Sequence, residues 1–184
     1  MTSTKRPYVP AVTPSRGKLS GTETLKTLCF KRTAWKFTNL GTWVVRDIRN
    51  KPGQMSQHSS GRAYDAQYVL RTPALQACAW FAANSDELGI ALINDYMFGK
   101  YGRTWRSDRA AWKVHTSNTI GIRGKWIHIE LHSRFARMPA ADYEKAWRSV
   151  PKPKERTLNR LDTAGARGCT EGVSRLGASP PSRK

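Results

Sequence analysis

His58 and Asp65 are the residues in this chain whose types and spacing first invite chemistry. They lie in the run Ser56-Gln57-His58-Ser59-Ser60-Gly61-Arg62-Ala63-Tyr64-Asp65. A neutral imidazole and a carboxylate supply two of the three protein ligands that a hydrolytic zinc site needs. Gly61 permits a tight turn, and a turn there carries the chain back so that His58 and Asp65 converge. Small Ala63 leaves room beside an ion. The third ligand has to come from elsewhere, and Lys125-Trp126-Ile127-His128-Ile129-Glu130-Leu131-His132 offers one. Alternate residues of a strand share a face. Trp126, His128, Glu130 and His132 therefore lie together, with Ile127, Ile129 and Leu131 turned toward a core. His128 is then the third ligand, with the Glu130 carboxylate two residues on and zinc's fourth position left for water.

The elements that must position these residues read as an α+β domain: a small antiparallel sheet with helices packed on it and the zinc site on the sheet face. Glu23 to Lys31 has weak helical spacing. Thr42 to Arg46 is a short β-branched and aromatic run, a strand candidate. Asn50 to Gln54, with Pro52 and Gly53, reads as a turn or loop. Ala63 to Leu70 reads as a second strand. Thr72 and Pro73 suit the N-cap and first position of a helix, with Leu75, Cys78, Ala79 and Ala82 as its apolar stripe. Asp86 to Met97 is either a continuing helix or a strand at Gly89 to Ile93. Lys125 to Leu131 is a strand, and Ala140 to Ser149 is a helix between Pro139 and Pro151.

Three segments follow from composition. Residues 1–22 are rich in Pro, Ser, Thr and Gly and read as a flexible lead-in. Residues 23–149 form the domain and hold all seven Trp. Residues 150–184 have too little apolar surface to offset the entropy of ordering and read as a disordered basic tail. With 39% apolar residues in 184, the chain has enough to bury a core. No stretch approaches the roughly 20 apolar residues that span a bilayer. Met1 to Pro7 has no apolar core of a secretory signal. Three scattered Cys (Cys29, Cys78, Cys169) exclude a disulfide scaffold and a CxxC zinc knuckle.

The net charge is +19 with a pI near 10.5. It is spread along the chain without a run of five like charges. Such a field attracts polyanions: nucleic acid, anionic lipid or bacterial wall polymers.

The run from Ser56 to Asp65 resembles the signature of the zinc D-alanyl-D-alanine peptidase superfamily, with its lysostaphin/carboxypeptidase/hedgehog-like fold. That superfamily includes carboxypeptidases and phage endolysins that cut peptidoglycan peptides. Downstream, Leu88 to Ile93, Tyr101 to Ser107 with Trp112, and Trp126 to Ile129 are similar to an actinobacterial or phage branch of it. The resemblance covers roughly residues 40–132. It implies one zinc ion held by His58, Asp65 and His128. It implies a general base three residues before the last ligand, a position occupied here by Lys125. A lysine is cationic at neutral pH and is repelled by zinc, so Lys125 departs from the family. Glu130 either takes the base's role or supports the ligands from behind. The family also carries an upstream Arg or Gln that polarises the scissile carbonyl, and Arg46 and Arg49 lie at about that distance. Trp105 and Trp112 either line a substrate groove or pack in the core. His115 sits in a loop near the cleft, where it contacts substrate or solvent.

Two classes of function compete. One is a zinc-dependent carboxypeptidase or endopeptidase acting on peptidoglycan stem peptides, as a phage lysin or tail-associated wall hydrolase. Its location would be the bacterial cell wall or the virion, and its partners an anionic wall polymer and other virion proteins. The other is a non-catalytic structural virion or wall-binding protein of the same fold, with Lys125 marking the loss of chemistry. Nucleic-acid binding is a secondary alternative, resting on charge and aromatics without a recognition motif.

Overall fold

In chain order the elements are α1 (Ser20–Lys31), β1 (Thr38–Gly41), β2 (Asp47–Ile48), β3 (Lys51–Met55), β4 (Ala63–Gln67), α2 (Arg71–Ala83), α3 (Ser85–Leu88), β5 (Ile90–Asp95), β6 (Arg103–Arg106), β7 (Ala111–Val114), β8 (Trp126–Leu131), α4 (Ser133–Ala136) and α5 (Ala140–Ser149). The structure is a computed structural model, and it describes residues 5–31, 35–49, 51–121 and 123–152. Six strands make an antiparallel sheet in the order β1-β4-β8-β5-β6-β7, and β2 pairs with β3 in a separate ribbon. The fold is therefore α+β with an antiparallel sheet, as the sequence pattern indicates.

The period of two sorts the side chains onto two faces. Tyr64, Ile129, Ile93 and Trp105 sit opposite one another along four neighbouring strands, and each is almost wholly buried. Leu25, Leu28 and Cys29 of α1, Ala74, Ala77, Cys78 and Phe81 of α2, and Tyr143 of α5 complete this core. Burying each large apolar side chain stabilises the fold by about 1.5–3 kcal/mol. The opposite face carries, at one level, Asp65, His128, Asn94, Thr104 and Lys113. A charge cluster lies on the core side. Asp95 is fully buried and takes both Arg71 guanidinium nitrogens (2.6 and 2.8 Å) and Arg103 Nε (3.1 Å). Arg103 is itself sandwiched between Phe98 and Trp112.

Several elements differ from the sequence pattern. The first helix begins at Ser20, inside the segment read as lead-in, because its buried start is made of Gly21, Thr22 and Thr24 rather than apolar residues. Thr42 to Arg46 is not a strand. Its β-branched residues find no partner strand, and Val44 and Val45 are exposed. Lys51 to Gln54 belongs to β3 rather than a loop, and Pro52 is tolerated in this exposed two-stranded ribbon. Thr72 caps nothing: Leu70 is the N-cap of α2, so Pro73 falls in the first turn, where its missing N–H has no helical partner to lose. The buried residues of α2 are Ala74, Ala77, Cys78, Trp80 and Phe81, a stripe that shares Cys78 with the expected one but is rotated away from Leu75, Ala79 and Ala82. Asp86 to Met97 takes the strand alternative. Gly89, at φ +64°, ends α3 and releases β5.

Among the described residues the lead-in has no helix or strand before Ser20, but it is bonded to the domain. Arg6 N donates to Ser107 O (3.2 Å) and Ser15 N to Ser59 O (2.8 Å). At the other end Val150 is buried and Pro151 O accepts the Trp80 indole N–H at 2.7 Å, so the domain continues past residue 149. The rest of the expected basic tail, with Cys169, lies outside the described residues. Among the described residues no helix is long and apolar enough to cross a membrane.

Candidate metal centre

The loop from Ser56 to Arg62 turns the chain back on itself. Ser59 N donates to Ser56 O, Gly61 N to His58 O and Arg62 N to Gln57 O, at 2.9–3.1 Å. Gly61 adopts φ +70°, a left-handed conformation that favours glycine. The Ser59 hydroxyl donates to Arg46 O (2.6 Å) and accepts from Arg46 N (2.8 Å), which ties the loop to the segment before β2. The chain then enters β4 with Ala63 fully buried and Asp65 on the sheet face.

Strand register supplies the rest. β4 pairs with β8 so that Asp65 faces His128 and Ala63 faces Glu130. His128 Nδ1 lies 2.7 Å from Asp65 Oδ1, and His58 Nε2 lies 3.1 Å from Asp65 Oδ2. One possible ligand atom from each of His58, Asp65 and His128 falls within 4.8 Å of the others. Both imidazoles are buried and their ring centroids are 5.0 Å apart. His128 Nε2 reaches Glu130 Oε1 at 3.0 Å.

The electrostatics are those of a carboxylate held between two bases. Burial by itself would raise the Asp65 pKa, but the His128 and His58 imidazoles outweigh it and hold the acid well below the usual range. Burial opposes charge on His128 too, yet Tyr96, Asp65 and Glu130 raise its pKa well above the ordinary value.

Two buried atoms in this cluster have no hydrogen-bond partner: His58 Nε2, poorly aligned on Asp65, and Glu130 Oε2. Buried polar atoms without a partner are uncommon; Trp43 Nε1, the Tyr64 hydroxyl and His132 Nε2 share that state outside the cluster. Two imidazoles and one carboxylate are a donor set suited to zinc. The residues therefore fit a divalent ion held by His58, Asp65 and His128.

Around the trio the structure sorts the remaining candidates. Arg46 and Arg49 are exposed; Arg46 serves the loop through its backbone, while its guanidinium lies against Asp47 O at 3.4 Å. Neither guanidinium bonds a member of the trio. Trp105 and Trp112 are on the opposite face of the sheet. Trp105 is in the core and Trp112 packs against it beneath Arg103, so neither lines a groove at the trio. His115 is on the trio's side: its Nε2 donates to the Thr104 hydroxyl (2.8 Å), which donates to Asn94 Oδ1 (2.6 Å), and Asn94 neighbours His128 across the ladder. Burial, then Lys113 and Arg109, lower the His115 pKa. Lys125 precedes β8, is exposed, and offers its carbonyl to Tyr68 N (2.9 Å). Glu130 is buried beside His128.

Three residues beside the trio were not legible as site residues. Arg62 is buried and bonds Gln57 Oε1 (2.5 Å), Ser60 Oγ (3.1 Å) and Val9 O (2.8 Å). Burial lowers its pKa, while Glu130 and Tyr8 act in the opposite sense. Its place inside the Ser56–Asp65 run was the available signal. Tyr96 stacks on Trp126 at 5.2 Å and acts electrostatically on His128. Tyr8 arrives from the lead-in and had no signal at all. The chain matches no protein-family model, and no curated protein or solved structure shows significant similarity to it.

Proposed function

We propose that the protein is a zinc-dependent peptidase of the D-alanyl-D-alanine peptidase type, acting on peptidoglycan stem peptides as a phage lysin or tail-associated wall hydrolase. The observation that carries this reading is the convergence of His58, Asp65 and His128, with one possible ligand atom from each within 4.8 Å of the others. In this reading His58, Asp65 and His128 hold the ion. Zinc supplies, when bound, a Lewis acid that polarises a carbonyl and acidifies water. Glu130 takes the proton of the attacking water at Oε2 and returns it to the departing amine nitrogen. His128 Nε2 at Oε1 keeps that carboxylate aimed. The charge of +19 suits adhesion to an anionic wall.

Lys125 supports a second reading, a wall-binding or virion protein of the same fold without turnover, because a lysine stands where the family has its base. One experiment separates the two. Zinc is quantified in the purified protein, and amine and D-Ala release are followed on peptidoglycan and short stem peptides, with His128→Ala, Glu130→Gln and Lys125→Glu alongside. One zinc per chain with release that both His128→Ala and Glu130→Gln abolish supports the peptidase. Zinc with release only in Lys125→Glu supports the inactive relative. Absence of zinc from every sample refutes the metal site.

A further inference from the structure

The loop that presents His58 is held by two kinds of tie. One kind belongs to the body of the domain: the Thr22 hydroxyl of α1 donates to Gly61 O (2.8 Å), and Ser59 Oγ is bonded to the Arg46 backbone. The other kind comes from the N-terminal segment and falls on the two residues that flank His58. Val9 O accepts from Gln57 Nε2 (3.0 Å), and Ser15 N donates to Ser59 O (2.8 Å). Gln57 is almost wholly buried and sits at the centre of a small network. Its Nε2 also donates to the Tyr8 hydroxyl (3.2 Å), and its Oε1 accepts from Arg62 Nη2 (2.5 Å) and Ser60 Oγ (3.0 Å). Arg62 Nη2 reaches Val9 O as well, at 2.8 Å. Toward the start of the segment, Arg6 N donates to Ser107 O (3.2 Å), Ser107 Oγ donates to Arg6 O (3.1 Å), and the Tyr8 ring lies beneath the Arg106 guanidinium at 4.3 Å.

This segment is suited both to dock and to leave. Pro7, Pro10 and Pro14 fix their own φ and restrict the residues before them, so it stays extended when free and loses little entropy on docking. It buries little apolar surface: Val9 and Val12 are exposed, and hydrogen bonds and cation–ring contacts hold it. Segments held in this way open locally without unfolding the domain. We propose that residues 6–15 form a strap whose docking sets the metal affinity of the loop. Docked, the strap fixes Gln57 and Ser59 and with them the backbone that aims His58. Released, it leaves His58 on a freer loop, which must be ordered again when the ion binds. This rests on the reading of His58, Asp65 and His128 as metal ligands. The coupling is reciprocal, so whatever docking adds to metal affinity the ion adds to docking. The lead-in is then the place where a partner, or a cut in the chain, lowers the affinity of the site.

The test uses the full chain and two readouts, zinc affinity by chelator competition and amide hydrogen exchange. Tyr8→Ala with Ser15→Pro removes the ring, its hydroxyl and the Ser15 N–H together. This releasing variant is expected to raise the zinc dissociation constant about five- to tenfold, the worth of one or two hydrogen bonds. Tyr8→Phe with Ser15→Ala keeps the ring and both backbone ties and stays within twofold. In the wild type, saturating zinc slows exchange of the Ser15 amide by a similar factor. A dissociation constant unchanged in the releasing variant, or Ser15 exchange indifferent to zinc, overturns the proposal. In zinc-free protein the releasing variant speeds exchange of the Gly61 and Arg62 amides, which bond within the loop, and leaves the amides of β8 and α5 at their wild-type rates. Loop amides that keep their wild-type rates, or that speed up only together with those of β8 and α5, overturn it too. Absence of zinc from every sample ends the metal reading, whereas the loop amides still show whether the strap orders the backbone around His58.

Discussion

Asp65 and His128 face each other across the β4–β8 ladder, with Oδ1 and Nδ1 2.7 Å apart. The remaining oxygen of the same carboxylate reaches His58 at 3.1 Å. One acid thus holds two imidazoles that come from positions seventy residues apart in the chain. Removing any one of the three changes the charge balance of the other two.

Zinc should stabilise the folded chain through these residues. At a free concentration about 100 times its dissociation constant, a ligand specific for the native state adds about 2.7 kcal/mol. In a chain of this length that is about 5–10 °C in Tm. Thermal scans with zinc and with chelator are expected to show the shift in the wild type and to lose it in His58→Ala and Asp65→Asn. An undiminished shift in those variants would place the metal elsewhere.

The pH dependence of the metal-free protein follows from the two shifted groups. Asp65 has a depressed folded pKa, so its contribution is present above its unfolded value of about 3.9 and is lost as pH falls through the folded value. His128 has a raised folded pKa, so its contribution is complete below about 6.5 and is lost as pH rises through the folded value. Both are complete between about pH 4 and 6.5. Tm in chelator should be highest there and decline on either side. Zinc requires deprotonated imidazoles, so its increment in Tm should grow from about pH 5.5 to 7.5. An increment that shrinks over that range argues against His128 as a ligand.

Glu130 and Lys125 should behave oppositely in kinetics. Glu130→Gln removes the buried proton acceptor and is expected to lower kcat by about 10²–10⁴, the usual worth of a general base. Lys125→Ala alters an exposed side chain and should change kcat less than threefold, on the order of 0.6 kcal/mol. Steady-state rates on a stem peptide decide this, and a large loss in Lys125→Ala would reverse the assignment.

Gly61→Ala should loosen the loop that presents His58. Gly61 has φ +70°, and a Cβ there would stand 2.8 Å from Leu19 Cγ and 2.9 Å from Ser15 Oγ. The left-handed backbone costs a side-chain-bearing residue about 1–3 kcal/mol. A lower Tm together with weaker zinc binding in chelator competition is the expected result; unaltered values of both would show that the loop absorbs a methyl group.

Asp95→Ala tests the charge cluster on the core side. The substitution leaves the Arg71 and Arg103 guanidinium charges without the carboxylate that neutralises them. Breaking a buried pair in this way costs about 3–5 kcal/mol. Chemical denaturation should register that loss, and Asp95→Asn should recover part of it by keeping the acceptor oxygen.

Local chemistry was readable in the chain itself. The Ser56–Asp65 run announces a turn, because glycine is the residue that accepts φ +70° without strain. The alternation of Trp126 to Leu131 fixes His128 and Glu130 on one face, because a strand has a period of two. The same period says nothing about which face of β6 and β7 the helices will cover. Trp105 and Trp112 therefore looked equally suited to a groove and to the core, until packing placed them behind the sheet. The exposed Val44 and Val45 and the paired Lys51 to Met55 make the same point, since β-propensity does not choose a partner strand. Opposition of Asp65 and His128 depends on how β4 registers against β8, sixty residues away. The seating of the N-terminal segment on the Ser56–Asp65 run depends on hydrogen bonds from Gln57 and Arg62 to the backbone at Val9. Such contacts join segments distant in sequence and leave no periodic trace in either one, so only the folded chain brings them together.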